Sequence, residues 1–189
     1  MLTSVHQSVF SQGNENIEKL PSSFKNLTRL EILNVKYCFS LQTLPELPPC
    51  LKDLNVENCS SLKTLPELPP FLETLNAKCC YSLQTLPELP PFLKYLHVGD
   101  CRLLQTLPEL PLFVETLNVE CCTSLQTLPE LPLFLKTLNI NDCISLRMLP
   151  ELPPFLELLI TIAFQFDYKR LRQPIRNFIT NSNVQLVGK

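Results

Sequence analysis

Leu72-Glu-Thr-Leu-Asn-Ala-Lys-Cys-Cys-Tyr-Ser-Leu-Gln-Thr-Leu-Pro-Glu-Leu-Pro-Pro-Phe92 returns, with substitutions, along most of the chain. Its Leu-Pro-Glu-Leu-Pro segment begins at Leu44, Leu65, Leu86, Leu107, Leu128 and Leu149, so every interval is the same, twenty-one positions. Such a fixed period marks a stacked-repeat architecture before any other feature is read. Within the unit, Leu75 and Ala77 alternate with polar Thr74, Asn76 and Lys78, which is strand spacing. The Leu-Pro-Glu-Leu-Pro-Pro return cannot be helical. Proline fixes φ and pushes the preceding residue toward extended geometry. In polyproline II, with about three residues per turn, Leu86 and Leu89 face one way and Glu88 the other.

The reading outward from this unit is an α/β-type but β-dominated solenoid. Each turn adds one short strand to a parallel sheet on the concave face, and extended returns form the convex face. Convex helices would need about 8–10 Å per turn, whereas parallel strands need about 4.8 Å. Extended returns remove most of that mismatch, so gentle curvature is predicted. An earlier unit, from Leu20, is three positions longer than those that follow. The predicted organisation is an N-terminal flank (1–16), the solenoid (17–158: one 24-residue unit, then 21-residue units) and a C-terminal cap or tail (159–189). In the last segment Asp167 is a candidate cap for a short helix carrying the basic cluster Lys169, Arg170, Arg172 and Arg176.

Composition excludes much chemistry. Net charge over the 189 residues is −2, so no phosphate-binding surface is indicated. Three glycines cannot build a phosphate-cradling loop, and two histidines are too few for a histidine metal cluster. No cofactor and no catalytic residue is expected. The N-terminus lacks a basic stretch followed by an apolar run, and no segment reaches the roughly 20 apolar residues that span a bilayer. A cytoplasmic protein with reduced thiols is expected.

Several columns recur with the period. Cys38, Cys59, Cys80, Cys101, Cys122 and Cys143 stand where the strand turns, and a buried structural column is predicted. Cys79 and Cys121 are read as exposed. Phe71, Phe92, Phe113, Phe134 and Phe155 form an aromatic column, read as a spine. Glu46, Glu67, Glu88, Glu109, Glu130 and Glu151 read as a solvated edge. Glu31, Lys52, Glu73, Lys94, Glu115, Lys136 and Glu157 alternate in sign, so opposite charges should meet across neighbouring turns. Asn34, Asn55, Asn76, Asn118 and Asn139 are read as a ladder bonded along the stack, interrupted by His97.

The open sheet face carries the candidate binding site. One column runs Ile32, Asp53, Thr74, Tyr95, Thr116 and Thr137. The outermost runs Lys36, Glu57, Lys78, Gly99, Glu120 and Asn141, and varies where its neighbours repeat. Variable polar side chains on a rigid concave sheet suit protein recognition. The candidate partner-binding residues are Lys36, Asp53, Glu57, Thr74, Lys78, Tyr95, His97, Thr116, Glu120, Thr137 and Asn141. Tyr95 beside His97 is the leading hot spot, because Tyr is favoured at interfaces.

The segments Ile17-Glu-Lys-Leu-Pro-Ser-Ser-Phe-Lys-Asn-Leu-Thr-Arg-Leu30 and Leu33-Asn-Val-Lys-Tyr-Cys38, followed by repeated Leu-Pro-Glu-Leu-Pro-Pro, resemble a known family. It is the leucine-rich-repeat region of plant TIR–nucleotide-binding–leucine-rich-repeat disease resistance proteins, and the likeness covers the stretch 14–158. The resemblance implies a non-catalytic module of an intracellular immune receptor, probing pathogen effectors or altered host proteins and contacting the receptor's nucleotide-binding module. Neither the P-loop lysine motif nor a TIR domain is in this sequence, so their activities do not carry over. Bacterial LPX-type leucine-rich effectors, which bind host proteins, are also similar in Leu-Pro-x-Leu-Pro-Pro. Their unit is usually shorter by one position and has Asn, not Cys, at the turn.

Overall fold

The computed structural model describes residues 7–10, 16–160 and 185–187. They hold one nine-stranded parallel sheet whose strands lie side by side in chain order. The strands are β1 (Gln7–Phe10), β2 (Leu30–Asn34), β3 (Asp53–Asn55), β4 (Thr74–Asn76), β5 (Tyr95–His97), β6 (Thr116–Asn118), β7 (Thr137–Asn139), β8 (Leu158–Ile160) and β9 (Gln185–Val187). Register advances by one repeat unit per strand from β2 to β8, so Leu54 pairs with Leu75, Leu75 with Leu96 and Leu96 with Leu117. Among the described residues the one helix is a 3-10 turn, Ser22–Asn26, in the longer first unit. The proposed Asp167 helix and its basic cluster lie outside the described residues.

Each turn buries the same side chains. Leu33, Leu54, Leu75, Leu96, Leu117, Leu138 and Leu159 are fully buried in mid-strand, and Val35, Val56, Ala77, Val98, Val119 and Ile140 follow them inward. Leucines of the return, such as Leu62, Leu65 and Leu83, close the core from the convex side. The return enters the next strand through a turn in which the Leu72 N–H donates to the Pro69 carbonyl at 3.1 Å. The Glu/Lys column lies just past that turn, and the expected pairs form. Lys52 meets Glu31 at 3.2 Å, Lys94 meets Glu73 at 2.7 Å, and Lys136 meets Glu115 at 2.7 Å.

The Cys column is buried as predicted, and it does more than fill space. The thiols of Cys59, Cys80, Cys101, Cys122 and Cys143 donate to the carbonyls of Val35, Val56, Ala77, Val98 and Val119, each in the preceding turn, at 3.0–3.2 Å. Burial pushes Cys59 and Cys143 up to about 12. It pushes Cys80, Cys101 and Cys122 up as well.

Three expectations need correction. Cys79 and Cys121 are half-buried rather than exposed. They occupy the position just before the turn cysteine, where φ is near +60° in every unit: Tyr37, Asn58, Cys79, Asp100, Cys121 and Asp142. Left-handed backbone suits Asn and Asp and is costly for other side chains. It persists because these residues also carry the ladder onward, with Asn58, Cys79, Asp100 and Cys121 donating backbone N–H to Lys78, Gly99, Glu120 and Asn141 of the next turn. Second, the phenylalanine column stands on the surface, at the corner before each strand, and does not form an internal spine. Third, the asparagines bond chiefly within their own turns, not as a stack. Asn34, Asn55, Asn76, Asn118 and Asn139 each accept, at Oδ1, the backbone N–H two residues on. That donor has just left the strand and lies closer than the amide of the next turn.

Candidate functional site

Strand alternation decides which side chains reach the open face. In β4, Leu75 points to the core while Thr74 and Asn76 are half-exposed; Ala77 is then buried and Lys78 half-exposed. The same alternation places Lys36, Asp53, Glu57, Thr74, Lys78, His97, Thr116, Glu120, Thr137 and Asn141 half-buried on this face, with Tyr95 the most exposed of the set. Asp53, Thr74, Tyr95, Thr116 and Thr137 are register partners along one row. Asn76, His97 and Asn118 are partners along the next. Partial burial raises the Asp53 carboxyl.

The central turns differ from the rest. Lys78 Nζ reaches Glu120 Oε2 at 3.7 Å although the two lie two turns apart. The intervening residue at that position is Gly99, which is buried. A Cβ added there would meet Asn118 Oδ1 at 3.2 Å and the Glu120 carbonyl at 3.3 Å. Glycine therefore leaves open the path over which the Lys and Glu side chains meet. Glu120 also accepts from Asn139 Nδ2 at 3.4 Å, and Glu57 from Asn76 Nδ2 at 3.4 Å. The result is a charged, cross-braced patch of Glu57, Lys78 and Glu120 around His97, with Tyr95 exposed at 39% beside it. The patch can dock polar and aromatic groups of a partner. Among the described residues no group of three or more His, Cys, Asp or Glu is arranged to hold a metal.

His97 stands where an Asn would accept the N–H two residues on. Burial lowers its tendency to protonate, Lys78 lowers it further, and Glu57 opposes them. Unfolding returns the imidazole to its ordinary value of 6.5. Below that pH the unfolded chain takes up a proton that the folded chain resists. The stability contributed by neutral His97 is thus complete above pH 6.5 and is lost as pH falls from there through the depressed folded value. His97→Asn restores the missing acceptor and removes that loss. We expect a gain of about 0.5–1.5 kcal/mol in urea denaturation at neutral pH, with a larger difference from wild type at mildly acidic pH. An unchanged midpoint under both conditions would refute this account of position 97.

The sequence missed two features of the site. The left-handed column was partly signalled by Asn58, Asp100 and Asp142 preceding the turn cysteines. The Lys78–Glu120 bridge had no signal beyond Gly99 itself. Arg102 adds a rim contact, lying 5.1 Å from the Tyr81 ring centroid and 3.3 Å from Asp100.

No protein-family model matches the sequence, and no curated protein matches it. Solved structures do. The chain is similar to YopM from Yersinia enterocolitica WA-314, with 32% identity over 76% of this chain and a TM-score of 0.50. It spans 35% of that protein. It is also similar in fold to the leucine-rich-repeat protein of T. pallidum, with a TM-score of 0.60, 21% identity, and coverage of 89% of this chain and 84% of that one. The architecture is the leucine-rich-repeat solenoid.

Proposed function

We propose that the chain is a non-catalytic protein-recognition module that reads a protein partner across the concave face, centred on Lys78, Tyr95, His97 and Glu120. The observation that carries this is the contrast between rigid and varied positions. Inward columns repeat nearly unchanged, while the outward column changes chemistry at the middle turns, where Gly99 lets Lys78 and Glu120 meet. Leucine-rich-repeat neighbours support a protein-interaction module. Among the described residues no helix is long and apolar enough to cross a membrane.

The Leu-Pro-Ser-Ser opening and the Cys turn favour the repeat region of a cytoplasmic plant TIR–nucleotide-binding–leucine-rich-repeat receptor, sensing effectors or altered host proteins. The likeness to YopM favours a second reading, a bacterial leucine-rich effector that binds host proteins. The parent reading frame separates them: an in-frame nucleotide-binding domain supports the first, a bacterial locus the second.

The face itself is tested with Tyr95→Ala/His97→Asn. A partner identified with the wild-type chain should lose at least about ten-fold in affinity, as expected for an interface hot spot, while the circular dichroism spectrum is unchanged. Glu88→Gln/Glu109→Gln on the convex edge should leave affinity within about two-fold. If the edge pair removes binding and the face pair does not, the concave reading is wrong.

A further inference from the structure

The concave face leaves unexplained the corner before each strand. Phe71, Phe92, Phe113, Phe134 and Phe155 each stay 46–60% exposed there, and Leu112 and Leu133 beside them 54% and 56%. At roughly 200 Å² per side chain, the stripe presents on the order of 700 Å². A typical monomer's largest apolar patch is about 300–600 Å², and one side of a standard protein interface is about 800 Å². The rings are already ordered. Phe71 stacks on Phe92 at 6.1 Å, and Phe113, Phe134 and Phe155 stack in series at 6.4 Å.

The border of the stripe says what fits it. Lys52, Glu73 and Lys94 line one shallow depression of about 270 Å³ with Phe71 and Phe92. This alternating column has each of its lysines bonded to the preceding glutamate. It therefore offers no net charge to a basic or acidic ligand, but it is complementary to itself when reversed. A two-fold axis between the Phe92 and Phe113 levels sets Lys94 against the partner's Glu115, Glu73 against the partner's Lys136, and Lys52 against the partner's Glu157. The internal pairs Glu73–Lys94 and Glu115–Lys136 then face one another as rings of alternating sign. Phe92 lies over the partner's Phe113 and Phe71 over the partner's Phe134. The axis also falls between the two ring stacks. Sliding by one turn sets every charge against its like, which fixes the register.

We propose that this phenylalanine edge is a two-fold interface with a second copy of this chain, leaving the concave face of each copy open. Sedimentation equilibrium of the full chain should give the dimer mass at on the order of 10–100 μM, a range that interfaces of this size reach. Phe92→Glu/Phe113→Glu should be monomeric with an unchanged circular dichroism spectrum. Lys94→Glu alone and Glu115→Lys alone should each weaken self-association by about ten-fold or more, because like charges then meet twice across the axis. Mixed in equal amounts, these two variants should recover a 1:1 dimer, since each supplies the charge the other needs. A wild-type monomer across that range overturns the proposal; capture of neutral vesicles or an apolar peptide by that monomer would then assign the stripe to such an occupant. A dimer that survives the double Phe substitution, or a mixture that fails to recover, overturns it too.

Discussion

Leu75→Ala or Leu96→Ala should lower the free energy of unfolding by about 2–5 kcal/mol. Each leucine is fully buried and is paired in register with leucines of both adjoining turns. Truncation leaves a void that cannot close easily, because the flanking turns are held at strand spacing by their own hydrogen bonds. Domains of ordinary size are stable by only about 5–15 kcal/mol, so one such change removes a large share. The loss should also spread. A turn in a solenoid is supported by its neighbours and little else, so hydrogen exchange should quicken in β3 to β6 and not in the substituted strand alone. A shift below about 0.5 kcal/mol, the scale of ordinary surface changes, would show that these leucines are not the core.

The second large effect is in thiol reactivity. Cys50 is exposed and Cys79 and Cys121 are half-buried, whereas Cys38, Cys59, Cys80, Cys101, Cys122 and Cys143 are buried. The thiolate is the reactive species, and burial pushes Cys59 and Cys143 up to about 12. In the native chain at neutral pH, three cysteines should accept a small alkylating reagent quickly. The other six should react at least about a thousand-fold more slowly, in step with opening of the fold. In denaturant without reductant, all nine should be modified. Rapid labelling of Cys101 in the folded protein would contradict the thiol ladder. Blocked thiols in the unfolded protein would contradict a reduced chain.

What the sequence made legible follows from periodicity. Once Leu54, Leu75 and Leu96 recur at a fixed interval, the parallel register, the buried cysteines and the Glu/Lys pairs are consequences of stacking. A period, however, aligns residues without saying which way they point. The phenylalanine column was visible from Phe71 to Phe155. Its outward direction depends on the Pro69–Leu72 turn, which puts Phe71 at the corner. Asn76 was placed on the open face, but the same spacing permits a bond along the stack or one to its own turn. The nearer Lys78 N–H wins. The left-handed column is a backbone property, and Tyr37, Cys79 and Cys121 are side chains that give no hint of it. The candidate face residues were brought to one surface because alternation alone decides that. The Lys78–Glu120 bridge lay beyond reach because it depends on the side chain that Gly99 lacks.

The inter-turn hydrogen bonds have a mechanical consequence. From Lys52 to Glu31, from Glu73 to Lys52 and from Asn58 to Lys78, they run along the solenoid axis, one rung to the next. A load applied along that axis acts on a single rung at a time, as in opening a zipper, and does not shear many bonds together. Each released turn frees about 70 Å of chain, at roughly 3.3–3.6 Å per residue. Because the rungs are so nearly alike, they yield at similar force, and the chain lengthens in even steps like a ratcheted tether.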